Sequence, residues 1–563
     1  MAETLISPGV LAREQDTSFR QPTPVDVGFA IVGPTTKGPI ETPLAVRNYT
    51  DFRNIFGDVV ESGSESYRFL TDIAVEDYFQ NSTEPLLVTR VVPSASEWSP
   101  ATSSLIEDVS GSEVFVLETL DSGVIMNSSS SESGGGALAD GTKDNLRWEI
   151  NNINSQKGTF TLVIRRGNDN NRNKNVLETF NVSLDPQSSD YIKRKIGNQT
   201  FTYDSAENYI KTEGEFPNRS SYVRVKEVAN KTPNYLDGDN NPQTGFADLL
   251  PIAQSGSFGD ATGQNFYGVA NFYNNVDGTD SQGLTGADYD NMISLLTNKD
   301  NYKFSLLSFP GLINEFHSTQ ISALISNAET RGDHMVVIDP VAYDAIVSEV
   351  TTESISRDSS YASMYWPWVK MNLGELGNAF VPASTIIPGV YASSIQPWFA
   401  PAGLSRGLTS ALEAERKLSQ GQRDTLYENK VNPIATFPGV SNPVIYGNKT
   451  LQTRASALDR VNVRRLLIEL KSFISQVALN LVFEQNTTAT RNLFLSQVNP
   501  YLETIQKQQG LFAFRVIMDD SNNTNDVIDR NELIGQIFVQ PTRTAEFIYL
   551  DFVVQPTGAT FPD

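Results

Sequence analysis

The sequence contains no cysteine. That absence excludes disulfides, Fe–S clusters, thiolate zinc sites and cysteine nucleophiles. Histidine is nearly missing too, with His317 and His334 the only two, so a multi-histidine metal site is almost excluded. No uninterrupted apolar run approaches the ~18 residues that a membrane span needs. The first thirty residues have neither a basic leader nor an apolar core, which predicts no signal peptide. Positive charge is also short: 43 Lys and Arg stand against 66 Asp and Glu, for a net charge of −23. Phosphate-rich partners and anionic membranes recruit basic surface, so the balance argues against nucleic-acid binding and direct membrane insertion. It predicts a chain made in a cytoplasm and kept soluble. Copies of it repel one another unless strong local contacts intervene.

What is present is material for packed interiors. Thirty Phe and twenty Tyr are spread over 563 residues, a length that predicts about two to four domains. Pro22 and Pro24 mark a linker, and Val25 to Val32 reads as a strand ending in a Gly/Pro turn. "YTDFRNIFGD" reads as a short helix, with Thr50 as its N-cap and Gly57 as its stop. Apolar positions 67, 69, 70, 73, 74, 78 and 79 suit a second helix. "PLLVTRVV" then reads as a buried strand, and the order indicates an α/β domain. From 98 to 280 the texture changes to short β-type runs ("FTLVIRRG", "LETFNVSL", "SYVRVKEV") between Asn/Asp/Gly-rich turns and the flexible "SSSSESGGG".

The α/β texture resumes at "DYDNMISLLTNKDNYKFSLLSFPG" and "ISALISNAETRGDHMVVIDPV". Beyond "QPWFAPAGLSRG" lies the clearest helix, "VNVRRLLIELKSFISQVALNLVFEQN", with apolar positions 463, 466, 467, 470, 473, 474, 477, 481 and 482 on one stripe. The predicted fold class is multidomain α/β and α+β. An N-terminal arm occupies 1–21, and a split α/β domain occupies 22–97 and 281–395. A mostly β insertion fills 98–280, a C-terminal α+β domain 396–541, and a C-terminal strand arm 542–563.

Several segments approach active-site motifs and miss. "GPTTKGP" (33–39) has P-loop-like glycines, but Pro39 stands where Lys and Ser/Thr are needed, so it reads as a turn after a strand. "DGDNNPQTGFAD" (237–248) sets Asp237, Asp239 and Asn241 at calcium-loop positions. Pro242 replaces the required Gly and Asp248 the long Glu, which leaves a solvated loop. "DDSNNTND" (519–526) reads as a turn. His334 sits where a helix turns into a strand, and no Ser or Asp arrangement accompanies either histidine. Nothing singles out a carboxylate pair. The aromatics of "SMYWPWVKM" could stack on sugars in a glycan-binding protein, but they fit an inter-domain core.

Two end segments raise a question of partners. "LISPGVLARE" is apolar, is broken by Pro8-Gly9 and is too short for a helix. "EFIYLDFVVQP" puts Ile548, Leu550, Phe552 and Val554 on one face of a strand. The stretch from Arg454 to Lys471 holds Arg454, Arg460, Arg464, Arg465 and Lys471 against Asp459 and Glu469, a local +3 in an acidic chain.

Taken in order, these motifs resemble the tail-sheath proteins of contractile-tailed, myovirus-type bacteriophages. The resemblance runs through "SPGV", "GFAIVGPTTKGPIETPLAV" and "FRNIFGD", resumes at "LLSFPG" and "RGDHMVVIDP", and is densest in "PWFAPAGLSRG", "LYENKVNPI", "YGNKTL", "VNVRRL", "VFEQN", "FRVIMDDSNNT" and "QPTRTAEFIYLDF". It covers roughly 1–95 and 285–555 and leaves out the insertion. It implies a structural protein without enzymatic activity or cofactor, assembled in the host cytoplasm and carried in the virion. Its partners would be copies of itself in hexameric rings and a helical polymer, the tail tube protein, and baseplate and tail terminator proteins. Contraction of the sleeve would drive the tube through the host envelope.

The resemblance also implies that the end segments add strands to a neighbour's sheet, using Val10, Leu11, Ala12 and Arg13 at one end. At the other they are Phe547, Ile548, Tyr549, Leu550, Phe552 and Val554. An extended arm can do this through main-chain hydrogen bonds. Arg464, Arg465 and Lys471 are then candidates for contact with an acidic tube or a neighbouring subunit. The sheath of an R-type bacteriocin or an extracellular contractile injection system is the alternative reading.

Overall fold

The computed structural model describes residues 28–62, 65–94, 96–126, 135–139, 141–264, 282–394 and 396–546. Both expected arm strands, Val10 to Arg13 and Phe547 to Val554, lie outside the described residues.

One large sheet organises the body. Its strands are β1 (Phe29–Gly33), β2 (Leu44–Val46), β3 (Leu86–Arg90), β4 (Leu306–Ile313), β5 (Met335–Asp339), β6 (Ala362–Trp366), β7 (Val431–Ala435) and β8 (Val444–Ile445), in the order β2-β3-β1-β4-β5-β6-β7-β8. The run from β3 to β7 is parallel. The short rim strands β2 and β8 are antiparallel to their neighbours. Parallel strands are buried on both faces, which explains their continuous apolar runs.

Alternation along each strand sorts residues between two cores. Phe29, Ile31, Val88, Leu306 and Val337 enter the first with α1 (Tyr49–Phe56), α2 (Leu70–Asn81) and α4 (Ala383–Ser393). Ala30, Val32, Leu87, Leu307 and Val336 enter the second with α3 (Ser318–Arg331) and the helix Asp290–Leu295. Each fully buried large side chain is worth about 1.5–3 kcal/mol.

Local signals fix the ends of these elements. Gly57, at φ +76°, stops α1, a conformation that glycine adopts without steric cost. The N-cap of α1 is Asn48, whose Oδ1 accepts from the Asp51 amide at 2.8 Å, and Thr50 is the helix's second residue. At the end of β5, Asp339 accepts from the Ser384 amide at 2.9 Å and from its hydroxyl. Helix α4 has no side-chain cap of its own at Pro382, so this carboxylate satisfies its first turn from another element. Burial pushes Asp339 up to about 7.

Residues of the expected insertion form a separate seven-stranded sheet, antiparallel throughout. Its order is Val176–Ser183, Thr159–Arg166, Leu146–Asn154, Gln254–Gly259, Pro100–Ser103, Phe115–Ser122, Val223–Val228. It encloses its own core around Phe115, Trp148, Leu162 and Phe258. The hairpin Thr200–Asp204/Tyr209–Glu213 folds back onto the body, where Tyr203 and Ile210 pack on the second core.

Beyond 453 the chain forms α5 (Val461–Leu479), α6 (Thr488–Lys507) and the hairpin β9 (Leu511–Ile517)/β10 (Gln536–Pro541). Leu466, Leu470 and Val477 of α5 meet Phe494, Val498 and Leu502 of α6 in a further core. The apolar stripe of α5 is buried as its periodicity predicts, except that the helix ends at Leu479 and Val482 is exposed. The division expected at 395/396 differs from the sheet membership. β7 and β8 lie past it yet complete the large sheet. The Pro/Gly-rich "QPWFAPAGLSRG" is a connection within the body, not its end.

Candidate intersubunit surface

The motif-like segments resolve into structure. Thr35 and Thr36 of "GPTTKGP" donate their hydroxyls to the carbonyls of Lys37 and Asp58, at 2.8 and 2.6 Å. That buried loop is committed to packing. Asp237 Oδ1 accepts from the amides of Asp239 and Asn241, both at 2.9 Å, which closes a turn. Asp519 likewise accepts from the Ser521 amide at 2.9 Å. His334 is buried, with Nδ1 2.9 Å from Asp333 and its ring edge-on to Phe304; burial lowers its pKa. Trp366 and Trp368 are core residues. Among the described residues, no group of three or more His, Asp or Glu could hold a metal ion. No helix there is long and apolar enough to cross a membrane.

The C-terminal hairpin has an apolar inner face and an exposed outer one. Its strands pair Phe514 with Val539 and Val516 with Ile537, and these four side chains pack against the α5/α6 core. The outer face carries Phe512, 76% exposed, and Phe538, 55% exposed. β9 and β10 make a two-stranded sheet, so among the described residues neither outer edge pairs with a further strand, although Gln506 Nε2 donates to the Phe512 carbonyl at 2.9 Å. Such edges accept an added strand. A second exposed apolar site is the tip between α5 and α6, where Leu479, Val482 and Phe483 point outward.

The segment leading to the expected C-terminal arm is clamped. Arg460 Nε and Nη2 donate to the two carboxylate oxygens of Glu546 at 2.6 and 2.9 Å, and the Tyr427 hydroxyl donates to Oε2 at 2.6 Å. Burial, then the hydrogen bond to Glu546, raises the Tyr427 pKa well above its usual range. Bidentate guanidinium–carboxylate pairing fixes direction as well as position. The chain therefore leaves residue 546 from a fixed point.

The three basic candidates do not form one open face. Arg464 is buried, with its guanidinium 4.0 Å from the Tyr361 ring centroid and a hydrogen bond to Ser360. Arg465 lies 4.5 Å from the Tyr391 ring centroid and donates to the Tyr391 carbonyl at 2.9 Å. Burial lowers the pKa of both. Lys471 is exposed, with Nζ 3.2 Å from the Tyr361 hydroxyl. The local +3 is thus largely spent inside the chain: aromatic rings hold Arg464 and Arg465, and Arg460 holds Asp459 and Glu546. Sequence spacing placed these residues on one helix. The tyrosines that turn two of them inward come from other elements.

Comparison with known proteins then identifies the relatives. Residues 282–451 match the phage tail sheath protein central domain, and residues 453–555 match the phage tail sheath C-terminal domain. The chain is 38% identical over 232 residues to the tail sheath protein of Vibrio phage KVP40, covering 40% of this chain and 34% of that one. It is 37% identical over 190 residues to the tail sheath protein of Enterobacteria phage T4, covering 33% of this chain and 29% of that one. The matched stretches thus span about a third of these curated relatives. In fold, the chain is similar to the crystal structure of the sheath tail protein Lin1278 from Listeria innocua. The TM-score is 0.54, with 10% identity over 92% of this chain and 95% of that one. From residue 282 to 555, the chain is therefore similar to the central and C-terminal domains of phage tail sheath proteins.

Proposed function

We propose that this chain is the structural subunit of a contractile phage tail sheath, without catalytic activity. It stacks as hexameric rings around a tail tube, joins a baseplate and terminator, and shortens to drive the tube through the host envelope. It is carried in the virion after assembly in the host cytoplasm. The observation that carries this reading is the β9/β10 hairpin, a sheet whose outer edges pair with no further described strand, in a chain similar to phage tail sheath proteins. Arms from neighbours, one through Val10 to Arg13 and one through Phe547 to Val554, add strands to those edges. Five residues of added strand make about 4–5 hydrogen bonds at ~0.5–1.5 kcal/mol net each. That is a few kcal/mol per arm, small for one pair and large when repeated through a polymer. The clamp on Glu546 supports the C-terminal arm, because an arm leaving from a fixed point loses less entropy on docking. Of the three basic candidates, Lys471 is the exposed one, which supports it as the residue that meets a tube or neighbour.

Electron microscopy of the full chain beside a variant lacking residues 1–20 tests the reading. Rings or striated tubes from the full chain, lost on deletion while circular dichroism is unchanged, are expected. Equal assembly by both would remove the N-terminal arm from the proposal. Dispersed monomers from both, with purified tube protein present, would overturn it.

A further inference from the structure

The body and the antiparallel sheet meet across a junction of charge, and a cleft of about 230 Å³ opens in it. Two carboxylates face the cleft. Asp58 is fully engaged, by Arg53 at 2.6 Å and by Lys143 at 2.6 Å. Asp144 faces the buried Lys37 across 3.6 Å, beyond hydrogen-bond length. Arg166, the fourth cation of the lining, makes no side-chain hydrogen bond or ion pair with any described residue. The hydroxyl of Tyr222, beside it in the lining, has no hydrogen-bond partner among the described residues either. Four cations and two carboxylates line the cleft, with Asp121 close to Lys37 and Glu178 close to Tyr222, so the unpaired Arg166 is its distinguishing group.

We propose that this cleft binds a small oxyanion, of which inorganic phosphate is the probe. Arg166 supplies a planar fork of donors suited to such a group, and the Tyr222 hydroxyl adds a neutral donor. Lys37 and Arg53 come from the body, whereas Lys143, Arg166 and Tyr222 come from the antiparallel sheet. A bound anion therefore ties the two together and fixes the angle at which the insertion stands on the body. The proposal is independent of the arms and of the sheath reading.

Isothermal titration of the full chain with sodium phosphate, at constant ionic strength in sodium chloride, is the test. One saturable site is expected, with affinity about tenfold weaker in Arg166→Ala, the loss of one charge-assisted contact. Tyr222→Phe should weaken it severalfold. If Arg166→Ala fails to fold by circular dichroism, Tyr222→Phe, which removes only a hydroxyl, decides in its place. Absence of saturable binding, or binding unchanged in the variant that decides, overturns the site.

Discussion

Asp77 sits on α2 with its carboxyl turned towards α4. It is 1% exposed, and its described partner is the hydroxyl of Ser410, with no cation beside it among the described residues. Burial first, and the nearby Glu76 charge, push it from the ordinary 3.8 up to about 7, against the lowering effect of the Ser410 hydrogen bond. The folded protein therefore holds a proton that the unfolded chain releases near pH 4. A carboxyl raised in this way contributes stability that is fully present below about pH 4 and is lost as pH rises to about 7. The slope is about 1.4 kcal/mol per pH unit, or about 4 kcal/mol in all. Asp77→Asn keeps the shape and an acceptor for Ser410 while removing the titration. Urea denaturation of both proteins between pH 4 and 8 gives the difference in stability at each pH. That difference cancels Asp339 and every other group the two share. It should shift by several kcal/mol in favour of Asp77→Asn as pH rises to 7, and then flatten. A difference constant across that range would refute the reasoning.

Gly389 faces the same carboxyl from α4, and a Cβ there would overlap Asp77 Oδ2. Gly389→Ala should cost about 1–3 kcal/mol by overpacking, read as a fall in urea midpoint. Arg464→Ala should lower the protein's own stability by about 1–2 kcal/mol through loss of the Tyr361 stack. A double-mutant cycle with Tyr361→Leu should show coupling between the two. Leu502→Ala, at the centre of the α5/α6 core, should cost about 2–5 kcal/mol and expose the hairpin to limited proteolysis.

Much of the body was legible in the sequence because its signals are local. The apolar run Phe29 to Val32 before a Gly/Pro turn, the stop at Gly57, and the helix-then-strand runs ending in "SFPG" and "VVIDP" each depend on residues a few positions apart. The inward stripe of α5 follows from the same kind of periodicity. What escaped depends on partners distant in the chain. β7 pairs with β6 about 67 positions away (Met364 with Val431), so a Pro/Gly-rich stretch between them looked like a boundary. Arg464 and Arg465 read as an exposed basic face because nothing near them announces Tyr361 and Tyr391. The Glu546 clamp spans 86 positions to Arg460 and has no periodic signature. Asn48 outcompeted Thr50 as the cap of α1 by one turn geometry, a difference that composition does not reveal.

The rims of the large sheet have a consequence for how copies of the protein meet in solution. A six-stranded parallel sheet would present long bare edges at both sides. Here each side ends in a strand of three or two residues running the opposite way. Such stubs offer an incoming chain almost no ladder to climb. Copies therefore have little to zip through at the rims of this sheet. The large sheet is thus closed to sideways growth, and longer strand edges lie elsewhere in the molecule, at Val176–Ser183 and in the β9/β10 hairpin.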